Sequence, residues 1–152
     1  MKKLIITILV FTLTSTLLAQ NMNDSLLYQA VVNNDTTTIK DLVSKGANVN
    51  FIKEQGWVKV NLLITAVNKK NIDAVKVLIQ NGADVNWEDG FNTSALMYAA
   101  SNGNMPIIKL LLDNGADIKH KDKQGNDAIS TAKQAKHTNV VKLLEATLKE
   151  RK

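Results

Sequence analysis

The sequence predicts an all-α solenoid of about four helix-turn-helix units joined by hairpin-like loops. Three segments end alike, with SKGANVN at 44–50, QNGADVN at 80–86 and DNGADIK at 113–119. An alanine lies 16 residues before each of their glycines, and a fourth continues the series. These alanines are Ala30, Ala66, Ala99 and Ala132. Their spacings of 36, 33 and 33 residues are typical of stacked repeats, with a three-residue insertion in the first interval.

The third unit shows why its first helix is expected. Ser94 can cap a helix, because its hydroxyl accepts a hydrogen bond from a backbone N–H that has no partner inside the helix. The predicted helix 95–102 carries Ala99 and Ala100 on one face, where small side chains let a neighbouring helix approach closely. Gly103 is predicted to end this helix, since glycine reaches the left-handed conformation without a Cβ penalty.

A second helix is predicted to begin near Met105 and Pro106, because a proline in the first turn has no N–H to lose from the helix. Apolar residues at helical spacing give it a buried face, at Ile107, Ile108, Leu111 and Leu112. Gly115 then caps this helix, and an extended excursion leads to the next unit.

The repeated unit resembles the ankyrin repeat. The family's T-P-L-H-x-A-A element appears as SALMYAA at 94–100, and in more divergent form as SLLYQAV, NLLITAV and DAISTAK in the other units. Its L-L-x-x-G-A-D-V-N element is matched by LIQNGADVN at 78–86. The resemblance runs from Asp24 to about Leu148, although every unit lacks the proline and the histidine of the first element. It implies a helical solenoid that binds a protein and has no catalytic activity.

The first nineteen residues are expected to be a secretory signal peptide. Lys2 and Lys3 precede an apolar run from Leu4 to Ala19, after which a cut is expected. An uncleaved anchor is less favoured, because the run is shorter than the ~20 residues of a membrane span. The ankyrin-repeat domain would then occupy 20–152, with repeats at about 24–53, 54–89, 90–123 and 124–152, in the periplasm or outside the cell.

Charged residues in the fourth unit are expected to mark the end of the solenoid. The fourth unit has Lys133 and Glu145 where the third has apolar residues, as expected for a terminal repeat without a neighbour on one side. Residues 119–152 carry nine basic and four acidic residues, which is usually a solvated surface. We expect a monomer that does not bind a membrane surface.

The sequence offers no catalytic or metal-binding pattern. It contains no cysteine, no phosphate-binding glycine loop, no nucleophile elbow and no zinc-protease helix. His120 and His137 are predicted to be surface residues, and the six residues from Asp122 depart from a calcium loop in the place of their glycine. The basic end lacks interleaved aromatics, so no nucleic-acid partner is expected. We therefore predict no enzyme activity, no cofactor and no metal.

The resemblance places the binding surface on a concave face built from the loop tips and the first helix of each unit. By register, the tips are 51–59, 87–91 and 120–124. The residues expected to contact a partner are Phe51, Trp57, Asn68, Lys69, Trp87, Phe91, Ser101, Asn102, His120, Lys121 and Gln134. Exposed aromatics in loops make good interface anchors, but Trp57 and Trp87 can equally pack on their own loops.

The predicted function is therefore protein binding in the periplasm or outside the cell. Two narrower alternatives rest on analogy with the family and on the expected compartment. One is an immunity or protective protein for a toxin or a periplasmic enzyme, and the other is a secreted effector directed at a host.

Overall fold

The computed structural model of the chain describes residues 19–56 and 58–151. The predicted signal peptide, apart from Ala19, lies outside these residues, as do Trp57 and Lys152. The helices are α1 (19–32), α2 (Thr36–Ser44), α3 (Leu62–Asn68), α4 (Ile72–Gln80), α5 (Ala95–Ser101), α6 (Met105–Asp113), α7 (Ala128–Gln134) and α8 (Thr138–Glu150). Within the described ranges, no helix combines the length and the apolar character needed to cross a membrane.

The helices form two layers. The first helices α3, α5 and α7 pack side by side, and the second helices α2, α4 and α6 form the adjacent layer. Each first helix also packs on the second helix of its own unit. One buried core runs through the stack, and the four repeated alanines are all 5% exposed or less, at Ala30, Ala66, Ala99 and Ala132. The prediction of an all-α solenoid is confirmed.

A two-stranded antiparallel hairpin accounts for the long first interval. Strand β1 (Ile52–Gln55) pairs with β2 (Val58–Asn61), so that Glu54 lies opposite Lys59. Their side chains form an ion pair of 2.8 Å between Nζ and a carboxylate oxygen. The extra residues therefore lengthen a tip and leave the helix register intact.

The helix ends follow the predicted chemistry. The Ser94 hydroxyl accepts from the N–H of Met97, and α6 has its proline at the predicted place. Helix α5 ends at Ser101, one residue before the predicted Asn102, which serves as its C-cap. Helix α7 begins with a capping box. The Asp127 side chain accepts from the N–H of Ser130, and the Ser130 hydroxyl accepts from the N–H of Asp127.

Asparagine side chains join successive units. The amide of Asn50 donates to the carbonyl of Gly82 (3.1 Å) and accepts from the N–H of Asp84 (2.8 Å). Asn86 makes the same pair of bonds to Gly115 (3.2 Å) and Asp117 (2.9 Å). At each junction, one asparagine side chain thus bonds both a backbone carbonyl and a backbone N–H in the loop after a helix of the next unit, and neither group has a partner within that helix.

The N-terminal end uses a different arrangement. Helix α1 begins well before the position of the other first helices, and its early turns supply the missing junction. Gln20 donates to the carbonyl of Gly46 (3.1 Å), while Asp24 accepts from the N–H of Asn48 (2.6 Å). Leu26 is 52% exposed, although Leu62 at the equivalent position is buried. The first unit therefore exposes an apolar residue at a position that the second unit buries.

The C-terminal end is polar, as predicted. Lys133 and Glu145 are both exposed, and they form an ion pair of 2.9 Å. Arg151 donates to the carbonyls of Leu112 and Ala116, so its guanidinium covers the C-terminal end of α6. Arg151 thereby satisfies carbonyls at the end of α6 that have no partner within that helix.

Candidate functional site

The candidate site is the surface formed by the tips and the first helices, which we call the inner face. It comprises residues 19–34, 51–56, 58–70, 87–103 and 120–136. The remaining described residues, mostly the second helices and the loops after them, form the outer face. The predicted contact residues other than Trp57 lie within these ranges.

A buried carboxylate braces the second tip. Asp89 is only 6% exposed and accepts from the N–H groups of Phe91 (2.8 Å) and Thr93 (2.9 Å). It also accepts from the hydroxyl of Tyr98 on α5 (2.7 Å). Burial, together with the bond to Asp89, raises the pKa of the Tyr98 hydroxyl well above its ordinary value. The tip is thus tied to the first helix of its own unit.

The third tip has the same brace one repeat later. The Asp122 carboxylate accepts from the backbone N–H groups of Gln124 (2.9 Å) and Asn126 (2.8 Å). Although partial desolvation opposes it, this bonding lowers the pKa of the Asp122 carboxyl. The segment that faintly resembled a calcium loop is therefore a hydrogen-bonded turn, and the described chain holds no cluster of acidic and histidine side chains fit for a metal ion.

Side chains of the third tip also hold it against the second. Nε2 of His120 lies 2.7 Å from the carbonyl oxygen of Asn92 and 3.1 Å from a carboxylate oxygen of Glu88. Lys123 donates through Nζ to the carbonyl of Gly90 (2.6 Å). The tips consequently form a connected row rather than independent loops.

Both histidines are less exposed than the sequence suggested. The side chain of His120 is 25% exposed because it lies between two tips. His137 precedes α8, and its ring lies over Gly103 with Nε2 3.0 Å from the carbonyl oxygen of Ser101. Both side chains remain partly exposed, so the prediction of surface positions stands, although each ring also packs on the preceding unit.

The aromatic residues divide into packed and exposed members. Phe51 and Trp87 are half-buried and pack against the core. Phe91 is 44% exposed and is the only exposed aromatic side chain among residues 19–56 and 58–151. Trp57 lies outside the described residues. Trp87 thus follows the packing alternative, while any contact with a partner by these residues stays a prediction.

The polar contact residues lie largely at the surface. Asn68, Lys69, Ser101, Lys121 and Gln134 are exposed, whereas Asn102 is half-buried. The Gln134 amide donates to the side-chain oxygen of Asn126 (2.8 Å), so it also supports the third tip. Their role in binding stays a prediction.

Sequence reasoning missed the residues that hold the tips. Asp89, Tyr98 and Lys123 were not among the predicted site residues. A signal existed for the carboxylates, because Asp89 and Asp122 are 33 residues apart, one repeat. No such signal existed for Lys123, whose bond to Gly90 depends on how two units stack.

One cavity lies away from the tips. It has a volume of about 200 Å³ and is lined by Asp117, Ile118, Lys119, Leu148 and Arg151. The cavity lies between the loop that follows α6 and the C-terminal end of α8, where Arg151 donates to the carbonyl of Ala116. This cavity belongs to the end of the solenoid and not to the inner face.

Comparison with known proteins agrees with the repeat pattern. The family described as ankyrin repeats, in three copies, matches residues 62–150. An ankyrin repeat protein of Acanthamoeba polyphaga mimivirus is 35% identical over 88 residues, 55% of this chain and 52% of that protein. The human mitochondrial disaggregase is 36% identical over 70 residues, 46% of this chain and 10% of its own length. The human 2-5A-dependent ribonuclease is 38% identical over 63 residues, 41% and 8% of the two chains.

The chain therefore spans about half the length of the first of these relatives and a tenth or less of the other two. Ankyrin repeats are generally protein–protein interaction modules and are typically not catalytic. The matched region covers more than half of the chain and coincides with the units whose helices, caps and junctions repeat in the structure. The chain belongs to the ankyrin-repeat family.

Proposed function

We propose that this protein binds a protein partner through its inner face, in the periplasm or outside the cell, and catalyses no reaction. The observation that carries the proposal is Phe91, an aromatic side chain 44% exposed at the edge of a braced tip. Exposed aromatics anchor interfaces well, because they bury a large area at a small cost in side-chain entropy.

The bonding around Phe91 supports a binding role. The Phe91 N–H donates to Asp89, and its carbonyl accepts from the N–H of Lys123 (3.1 Å). Its backbone is therefore held from both sides while its ring remains accessible. A preorganised loop loses little conformational freedom on binding, and this favours affinity.

The compartment rests on the N-terminal sequence. Two lysines followed by an apolar run up to Ala19 support export, with Gln20 as the first residue of the mature protein. N-terminal sequencing of the protein from fractionated cells tests this part. A first residue of Met1 in a cytoplasmic fraction would overturn the export proposal and leave the binding proposal in place.

The binding proposal is tested by capture with the full chain from periplasmic and culture-supernatant extracts, read by mass spectrometry. We expect one stoichiometric partner that Phe91→Ser loses. The matched control is Ile72→Ser, because Ile72 is 39% exposed and begins an outer-face helix. Circular dichroism should show both variants folded.

The outcomes separate the alternatives. A partner kept by Phe91→Ser and lost by Ile72→Ser would place the interface on the outer face. A captured toxin would support an immunity role, and a captured resident enzyme would support a protective one. If both variants still capture the partner, Phe91 is not the anchor.

A further inference from the structure

The charges of the described residues divide unevenly between the two faces. The inner face carries eight basic and six acidic residues, whereas the outer face carries eight of each. The net charge of the described chain therefore belongs to the inner face, where Phe91 lies. The difference in net charge between the two faces is small. What matters for binding is which of these charged side chains already have a partner within the protein.

Every acidic residue of the inner face has a partner within the protein. Asp24 and Asp127 accept from backbone N–H groups. Asp89 and Asp122 brace the tips, as described above. Of the remaining two, Glu54 forms an ion pair with Lys59, and a carboxylate oxygen of Glu88 lies 3.1 Å from Nε2 of His120. Each of these carboxylates thus has a contact within the protein.

The basic residues fall into two groups. Four are engaged: Lys59 with Glu54, Lys123 with the carbonyl of Gly90, Lys133 with Glu145, and Lys53 over the ring of Tyr28. The other four are exposed, and their side-chain ammonium groups make no hydrogen bond or ion pair with any residue that the structure describes. They are Lys69, Lys70, Lys121 and Lys136.

We propose that the inner face binds an acidic segment of its protein partner, with the carboxylates on these four unpaired lysines and an apolar residue on Phe91. This inference rests on the proposed function and names the chemistry of the partner. Lysine ammonium groups without internal partners are free to pair across an interface, and complementary charge speeds association and selects the partner.

The geometry fits an extended segment. Lys69 ends α3 and Lys136 follows α7, so two helix-to-helix steps separate them. Each step is ~8–10 Å, which gives about 16–20 Å between the two lysines. An extended chain advances ~3.3 Å per residue, so about six residues cover this distance.

A nucleic acid is the competing anion, and the face is less suited to it. Binding of single strands uses aromatic side chains on which successive bases stack. Phe91 is the only exposed aromatic side chain in the described ranges, so a row of stacking platforms is lacking there. The partner of the four lysines is therefore an acidic protein segment.

The test uses the full chain and three fluorescein-labelled probes in anisotropy titrations. The first is a peptide of about ten residues in which glutamates surround one phenylalanine and one leucine. The second replaces every glutamate by glutamine, and the third is a single-stranded oligonucleotide of similar charge. We expect the acidic peptide to bind most tightly, and its binding to weaken as salt rises.

Matched variants locate the site. We expect Lys69→Gln with Lys121→Gln to weaken binding of the acidic peptide about three- to tenfold, as for two partly exposed ion pairs. The control is Lys76→Gln with Lys109→Gln, which removes two exposed lysines from the outer face and should change affinity less than about twofold.

Three results would overturn the inference: equal losses in both double variants, equal binding of the glutamine peptide, or tighter binding of the oligonucleotide. Failure of the acidic peptide together with capture of a partner that depends on Phe91 would refute this inference alone. Failure of both experiments would also refute the proposed function.

Discussion

Replacing Asp89 by alanine should destabilise the whole protein as well as its second tip. The carboxylate is 6% exposed and accepts from three donors, the N–H groups of Phe91 and Thr93 and the hydroxyl of Tyr98. A hydrogen bond to a charged group contributes ~1.5–3 kcal/mol, and water can reach the tip to replace part of this. We therefore expect Asp89→Ala to lower the free energy of unfolding by about 2–4 kcal/mol.

The assay is urea unfolding followed by far-UV circular dichroism and by tryptophan fluorescence. Coincident transitions would justify a two-state free energy, which repeat proteins do not always obey. Tyr98→Phe serves as the control, since it removes one donor and leaves both backbone bonds in place. We expect it to cost about 1 kcal/mol.

The double variant tests the reasoning directly. Asp89 and Tyr98 share one bond of 2.7 Å, so their combined loss should be about 1 kcal/mol smaller than the sum of the single losses. An additive double variant would show that the bond contributes nothing. A loss below about 0.5 kcal/mol for Asp89→Ala would refute the view that this carboxylate braces the tip.

Four further outcomes are expected from urea unfolding. Asn86→Ala removes two bonds between units and should cost about 1–2 kcal/mol, and an unchanged midpoint would contradict the junction. Glu145→Gln breaks a pair whose side chains are both more than half exposed, so a cost above about 1 kcal/mol would be unexpected. Gly103→Ala should be less destabilising in a His137→Ala background, because an added Cβ would lie 2.7 Å from that ring, and equal costs in both backgrounds would show that the ring moves aside. The raised pKa of Tyr98 adds stability that is fully present below its ordinary value of 10.0 and is lost as the pH rises above it, so the wild type should lose more stability than Tyr98→Phe between about pH 10 and 11.5.

Much of the fold could be predicted because its determinants are local and periodic. Residues within one unit determine the cap at Ser94, the proline near the start of α6 and the buried alanines. The repeat pattern makes such features easier to recognise, because equivalent positions occur in several units. The exposed pair Lys133 and Glu145 could be predicted because apolar residues take these places in the preceding unit. A deviation from the repeat thus predicted which side chains of the fourth unit are exposed.

The candidate site was predictable in outline only. The sequence indicates which loops form tips and that several aromatics lie in them, but it does not say which rings are exposed. Trp87 packs against the core while Phe91 stays accessible. The difference arises because Asp89 turns the chain between them, and the register of that turn depends on Tyr98 from the next helix.

Gly103 shows most clearly what the sequence determined and what the tertiary structure decided. From the sequence, a glycine after a helix indicates a left-handed residue, and its φ of 66° confirms this. Yet Asn34, Lys70 and Lys136 occupy the same position in the other units with φ between 56° and 62°. The backbone alone does not require glycine there. The stacking of the fourth unit on the third brings the ring of His137 over Gly103, and a Cβ added there would lie 2.7 Å from the ring, so the ring would have to move. The sequence thus determined the repeat, its caps and its turns, because these depend on neighbours along the chain. Only the tertiary structure decided which side chains of one unit meet the next, because those contacts join residues about one repeat apart.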